Sequence, residues 1–205
     1  MNVAQPICEV LDAVDSRSAL IGPDSASRGP QRVIATETVD RGAAKTNTSV
    51  PMKTEQSRAS GKLLGIARRG KQRDPMETVT EVSITTEAGV EGDCHGCEPG
   101  RQVTVLSADA WKDACTELGP EVPWTARRAN LMLGQIDLRD SVGARISIGD
   151  LVLEIVEENP PCRVMDLQQP GLRSVLKSEW RAGVACRVVS GGRIQVGNSA
   201  RLFKI

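Results

Sequence analysis

The run Ala144 to Val156, ARISIGDLVLEIV, is the feature that most constrains what this chain can fold into. Ile146 and Ile148, then Leu151, Leu153 and Ile155, fall at every second position on either side of Gly149-Asp150. Successive side chains of an extended strand point to opposite faces, so this spacing gives each of two strands one apolar face and joins them by a tight turn. A half-buried β-hairpin is expected. A second hairpin is expected where Val184 to Ser190 meets Arg193 to Val196 through Gly191-Gly192, with shorter strands at 62–68, 78–86, 102–106 and 200–204.

The scarcity of aromatic residues agrees with this reading. Trp111, Trp124, Trp180 and Phe203 are the whole set, so the core relies on Val, Ile and Leu, a composition that favours strands. Two helices interrupt them. The first runs from Ser107 as N-cap to Leu118, with Trp111, Ala114, Cys115 and Leu118 on one stripe and Gly119-Pro120 ending it. That spacing makes Cys115 a packing residue. The second is expected from Leu172 to about Trp180. The sum is a mainly β, barrel-like domain with a few helices.

Residues 1–58 are rich in Ser, Thr, Arg, Asp, Gly and Pro and bury little, whereas periodic apolar sequence begins near Lys62. The boundary is expected between 55 and 62, with a folded domain at 59–205. The first 58 residues read as either a disordered extension or the product of a start codon set too far upstream, Met52 lying just before the boundary. Twenty-six basic and twenty-six acidic residues cancel, so no global charge points to nucleic acid or an anionic membrane surface. No apolar run approaches the ~20 residues of a membrane-spanning helix, and no secretory signal is present. The chain therefore reads as cytoplasmic, and its six cysteines as reduced thiols.

Asn159 to Asp166, NPPCRVMD, is the stretch where chemistry is expected. Two prolines fix two φ angles and disfavour helix ahead of them, which sets Cys162 on a stiff connection. Arg163 beside it would favour the thiolate, the form that attacks electrophiles and ligates metals. The competing reading is a small buried hydrophobe, since free cysteine is among the most buried residue types. Asp93-Cys94-His95-Gly96-Cys97 has ligand-like spacing, yet a structural zinc site wants a second matching pair, and a thioredoxin-like pair should open a helix in a βαβ unit. A glycine-rich turn is the simpler reading. Arg127-Arg128-Ala129-Asn130 offers two guanidinium forks and an amide before an apolar strand, either a grip for an anionic ligand or a solvated turn. Arg181, between Trp180 and Ala182-Gly183, has the same two readings. No Walker-type loop, GxGxxG or Gly-x-Ser-x-Gly elbow occurs, and there is one histidine. Any chemistry must come from a cysteine or a bound cofactor.

The order of these pieces resembles that of a stand-alone MOSC domain of bacterial type, named after the C-terminal part of molybdenum cofactor sulfurases. The series is GVEGD at 89–93, RQVTVL at 101–106, RRANLML at 127–133, GARISIGDLVLEI at 143–155, PPCRVMD at 160–166, PGL at 170–172 and WRAGVACRVVSGGRIQVGN at 180–198. The resemblance covers about 60–205 and implies a predominantly β barrel of the pyruvate-kinase type. It also implies that Cys162 is the family's functional cysteine, either ligating molybdenum in reductases of N-hydroxylated compounds or carrying sulfur as a persulfide. Arg128 and Asn130 match the family's Arg-x-Asn and are implied to hold the phosphate and heterocycle of a molybdenum–pterin cofactor, with Arg163 and Arg181 as further cofactor-binding candidates. Arg181 begins Arg-Ala-Gly-Val where the family usually has Arg-Gly-Gly-Val, so the methyl of Ala182 is a departure that would limit close backbone approach. Cys186 is read as a buried strand position. The aminotransferase-like domain of fused relatives is absent, so pyridoxal phosphate is not expected. A reductase of this kind needs a small-molecule substrate and a separate electron donor; the second reading is a carrier, either of sulfur from a sulfur donor or of the molybdenum cofactor for transfer to another enzyme; and a catalytically silent binding module is the third.

Overall fold

The computed structural model describes residues 56–204. Along them run the strands β1 (Gln56–Arg68), β2 (Glu77–Val79), β3 (Glu81–Thr85), β4 (Gly89–Val90), β5 (Val103–Ser107), β6 (Leu131–Gly134), β7 (Arg145–Ile148), β8 (Leu151–Glu158), β9 (Val184–Ser190), β10 (Gly192–Gln195) and β11 (Ser199–Lys204). The helices are α1 (Ala108–Leu118), α2 (Val164–Gln168) and α3 (Leu172–Val175), with a 3-10 turn at Trp124–Arg127. The expected extension at 1–58 lies, but for its last three residues, outside the described residues. Those last three belong to β1, whose Gln56 pairs with Lys204.

Hydrogen bonding joins the strands in the order β11-β7-β8-β9-β5-β6-β1, and β1 then pairs β11 to close a seven-stranded barrel, with β2 appended to β1. Only β5 and β6 are parallel among these pairs. The alternating run forms the β7–β8 hairpin in the expected register, Ile148 opposite Leu151 and Ile146 opposite Leu153. Ile146, Ile148, Leu151, Leu153 and Ile155 are fully buried and pack in the barrel interior with Leu63, Val105, Leu131 and Val184. At about 25 cal/mol per Å² of apolar surface, this interior is the chief stabilising term of the barrel.

The second expected hairpin does not form. β9 pairs with β8 and β5 in the barrel, while β10 pairs with β3 in a separate three-stranded sheet, β10-β3-β4. Gly191 and Gly192 are where the chain changes sheets rather than where it doubles back. A Cβ on Gly191 would lie 2.7 Å from the Ile84 carbonyl oxygen and one on Gly192 2.7 Å from the Leu151 nitrogen. The glycines are required by close backbone approach, a role that a sequence pattern cannot tell from a turn. The strand expected at 78–86 breaks at Thr80 for a similar reason, β2 serving the barrel and β3 the small sheet.

Helix α1 follows its expected limits: the Ser107 hydroxyl accepts from Ala110 N–H at 3.5 Å, and Gly119 closes it at φ 96°. Trp111, Ala114 and Met165 form, with Leu106, Leu172 and Leu176, a second apolar cluster outside the barrel. Cys115 packs against this cluster, as its place on the stripe implies. The helix expected at 172–180 stops at Val175, and Glu179 and Trp180 both take φ 56°, a left-handed conformation that no helix continues through. Helix α2 was not anticipated; it begins as soon as the proline pair and Cys162 are past.

Candidate functional site

Four connections meet at one rim of the barrel: the exit of β1, the entry to β6, the exit of β8 and the entry to β9. Between them lies a cleft of about 380 Å³ whose lining includes Arg69, Asp93, Arg127, Arg128, Asn130 and Cys162. The proline pair does what the sequence suggests. Asn159 to Cys162 is non-helical, Pro161 is buried, and Cys162 is exposed at the cleft. Its carbonyl accepts from Met165 N–H at 3.1 Å, so the residue stands at the foot of α2. The reading of Cys162 as a buried hydrophobe does not hold.

Arg127 is the buried foundation of the site. Only 5% exposed, it donates from Nε to the Ala182 carbonyl and from Nη2 to the Asn159 carbonyl, both at 2.7 Å. It thereby ties the 3-10 turn to the entry of β9 and the exit of β8. Burial pulls its proton affinity down, to a pKa of about 10, and the charge of Cys162 acts in the opposite sense. Arg128, one residue on, adopts φ 62°. Its Nη2 donates to the carbonyls of Gln72 and Asp74 at 2.8 and 3.0 Å, and its Nε, though buried, has no acceptor. Burial and then the neighbouring Arg69 charge lower its proton affinity, while Cys94, Cys162 and Asp93 raise it.

Asn130 lines the cleft but is engaged throughout. Its Oδ1 accepts from Thr104 N–H at 3.0 Å and Thr104 Oγ1 at 2.8 Å, and its Nδ2 donates to the Ala67 carbonyl at 3.3 Å and Asp93 Oδ2 at 3.1 Å. An amide has these four sites and no more, so Asn130 braces the cleft wall rather than presenting donors to a ligand. Asp93 is a hub that the sequence did not mark as such: it also accepts from Arg69 N–H at 3.1 Å and His95 N–H at 2.9 Å.

Two expected cofactor-binding residues lie elsewhere. The chain turns helical at Arg163 (φ −59°, ψ −25°), so side chains there fan out in steps of about 100°, and Val164 and Met165 reach the cleft instead. Arg181 faces α1 and α3, donating to Glu117 and, at 3.3 Å, to the Val175 carbonyl. The Ala182 methyl is buried in the helical cluster, and the backbone next to it serves Arg127. Its departure from the usual glycine is accommodated by packing.

The Asp93–Cys97 stretch is a turn, as the simpler reading has it, with Gly96 so close to β4 that a Cβ would lie 1.8 Å from the Ala88 carbonyl oxygen. His95 is hydrogen-bonded to Glu98. No group of three or more Cys, His, Asp or Glu among the described residues is arranged to hold a metal ion. Cys94, Cys115, Cys162 and Cys186 are free thiols, Cys186 fully buried with its pKa raised by burial. Cys97 is disulfide-bonded, which departs from the expectation that the cysteines are all reduced. No helix among the described residues is long and apolar enough to cross a membrane.

Comparison with known proteins bears on both fold and family. The YUAD protein of Bacillus subtilis superposes with a TM-score of 0.61, at 20% identity over 71% of this chain and 97% of that one. YiiM of Escherichia coli gives 0.54 at 16% identity, covering 69% of each chain, and YiiM of Geobacillus stearothermophilus 0.57 at 15%, covering 69% of this chain and 74% of that one. At these identities the likeness is one of fold. No curated protein matches the sequence. The model of the MOSC domain family matches residues 91–201, more than half of the chain, spanning Asp93, Arg127, Arg128, Asn130 and Cys162, and the protein belongs to that family.

Proposed function

We propose that the protein binds a molybdenum–pterin cofactor through Cys162 and reduces N-hydroxylated small molecules. The observation that carries this reading is an exposed thiol on a rigid connection, at a cleft walled by guanidinium groups, in a domain of a family generally associated with that cofactor. The donor set fits the group: a thiolate is a suitable soft ligand for the metal, and an arginine with an unused buried Nε suits an anionic, acceptor-rich pterin. When bound, molybdenum supplies the two-electron chemistry that cleaves an N–O bond. The chain's own part is to hold and orient. Cys162 offers sulfur from a backbone stiffened by Pro160 and Pro161, Arg127 fixes the two strand ends that carry it, and Arg128 faces the ligand with positive charge. Asn130 serves through Asp93 and Thr104, without touching the ligand. Electrons come from a separate reductase.

The same exposed sulfur supports a second reading, in which Cys162 carries sulfane sulfur as a persulfide. The test for both is elemental and pterin analysis of wild type beside Cys162→Ser, expressed in cells competent in cofactor synthesis. Stoichiometric molybdenum and pterin in the wild type, absent from the variant, supports the reductase reading. Cyanide-releasable sulfur on Cys162 with no pterin would move the function to sulfur transfer, and neither signal would leave a silent binding module.

A further inference from the structure

Cleavage of an N–O bond needs an acid within the cleft. Converting R–NHOH to R–NH2 consumes two electrons and two protons and releases water, and the oxygen leaves far more readily once it is protonated. The guanidinium groups of the lining hold their protons too tightly at neutral pH to supply one. Asp93 has none to give, since its Oδ1 accepts from His95 N–H and its Oδ2 from Arg69 N–H and Asn130 Nδ2. Cys162 is committed to the metal. Of the titratable residues along the cleft, His95, the chain's one histidine, and Glu98 remain.

These two are paired. His95 Nδ1 is hydrogen-bonded to Glu98 Oε1, and because a carboxylate only accepts, Nδ1 keeps its proton when the ring is neutral. Nε2 has no partner among the described residues, and the ring lines the cleft. In the imidazolium both nitrogens carry protons, and the one that Glu98 does not hold is on Nε2. Glu98 therefore stabilises the charged ring and fixes which nitrogen it empties. The side chain is 29% exposed, so water can restore the proton. Asn159, just upstream of Cys162, lines the same cleft although only 5% exposed. Arg101 Nη2 donates to it at 2.8 Å, which identifies the accepting atom as Oδ1, because a guanidinium only donates. Its main-chain N–H and carbonyl are spent on Gly183 and Arg127. Nδ2 is left as a donor without an acceptor among the described residues.

We propose that His95, backed by Glu98, is the general acid of the reaction, giving its Nε2 proton to the departing oxygen of the N-hydroxylated substrate, while Asn159 Nδ2 donates to the same oxygen and positions it. The N–O bond breaks with the two electrons supplied by the separate reductase, the oxygen leaves as water, and the nitrogen takes the second proton from solvent. The inference rests on the reductase reading and names the residues that complete it.

Protein loaded with cofactor is assayed with benzamidoxime as the probe and reduced methyl viologen as the electron donor. His95→Gln should lower kcat about a hundredfold with KM and molybdenum content unchanged, and Glu98→Gln should lower it about tenfold. Asn159→Asp keeps the Arg101 contact, removes the donor and should lower kcat/KM about tenfold. The charged groups facing His95 are Glu98 and Asp93 of its own turn, Arg69 after β1, Arg101 before β5, Arg127 and Arg128 before β6, and Cys162. The acid form is the active one, so wild-type kcat should fall as pH rises through the imidazole's titration, and His95→Gln should lose that limb and regain part of its rate with added imidazole. A lone histidine also gives a single pair of imidazole signals on 15N-histidine labelling. The neutral ring should be the Nδ1–H tautomer in wild type and a mixture in Glu98→Gln, with or without cofactor. A His95→Gln variant with wild-type kcat and pH limb, or an Nε2–H tautomer in wild type, overturns the proposal and leaves the reductase reading standing. Wild type that carries no cofactor, or that leaves amidoxime, hydroxylamine and hydroxamate probes all unreduced, sinks the reading and the acid together; turnover by the wild type tells the two failures apart.

Discussion

Asn130 commits all four hydrogen-bonding positions of its amide to Thr104, Ala67 and Asp93, and so joins β1, β5 and the turn after β4 at one point. Asn130→Ala strands the Thr104 donors in a half-buried wall and removes one of the two donors to Asp93 Oδ2, and should lower unfolding free energy by about 2–4 kcal/mol in urea titrations. A residue that only gripped a ligand would leave that value unchanged in protein without cofactor. Cys162→Ser is the converse case. The side chain is exposed and its carbonyl, which caps Met165, is untouched, so stability should shift by no more than ~0.5 kcal/mol while metal or persulfide is lost. Arg127 ties a pH dependence to the same site. Its pKa of about 10 lies below the ordinary guanidinium value, so from pH 10 upwards the unfolded chain binds a proton that the folded one has shed, and stability rises with pH in that window. Arg127→Met should cost about 2–4 kcal/mol at pH 7, by leaving the Ala182 and Asn159 carbonyls without their donor, and its deficit against wild type should widen as denaturation is repeated above pH 10.

Where a glycine sits relative to its neighbours decides whether an element tolerates change. Gly183, at φ 83° at the entry to β9, has the Val105 carbonyl oxygen 2.2 Å from where a Cβ would be, and its own carbonyl accepts from Asn159 N–H. Gly183→Ala should therefore destabilise by more than ~3 kcal/mol and shift the Asn159–Cys162 connection with it. Gly149, at φ 58° in the β7–β8 turn, meets nothing within 4 Å, and Gly149→Ala should cost only about 1 kcal/mol, the conformational penalty alone. Thermal melts of the two variants side by side test the contrast. The same distinction explains what was legible in the sequence. Alternation in β7–β8 and the stripe of α1 are local patterns, and the barrel hairpin and capped helix follow them. The Gly191-Gly192 crossing depends on Ile84 and Leu151, distant in sequence, and so looks from the residues alone like a hairpin turn. Within the site, Cys162 was legible because two prolines announce a rigid connection. Arg69 was not, since its significance comes from Asp93 holding its backbone across 24 residues.

At the scale of the whole molecule the two sheets differ in kind. The barrel has no free edge among its seven ring strands, because β11 pairs with both β1 and β7, whereas in the small sheet β10 and β4 have no strand on their outer sides among the described residues. A ring distributes strain and cannot fray from an edge, so opening it requires breaking at least one complete ladder at the cost of exposing the Ile and Leu interior. The three-stranded sheet can peel strand by strand. Native-state hydrogen exchange should accordingly report the highest protection in β5, β8 and β9, at free energies equal to global unfolding, and lower values in β3 and β10. The cleft is framed by strand exits and entries of the ring, while Cys162 itself is carried on the connection between β8 and β9, with only the short α2 and α3 beyond it. Its surrounding amides, Arg163 to Gln169, should exchange faster than the strands that anchor them and slow when a ligand fills the cleft. Equal protection across both sheets would mean that they unfold as one unit, and would remove the basis for treating the ring as the rigid frame of the site. Slowing confined to the Cys162 connection and the turn at Asp93, with the ring unchanged, is the signature expected of a ligand that docks onto a frame already formed.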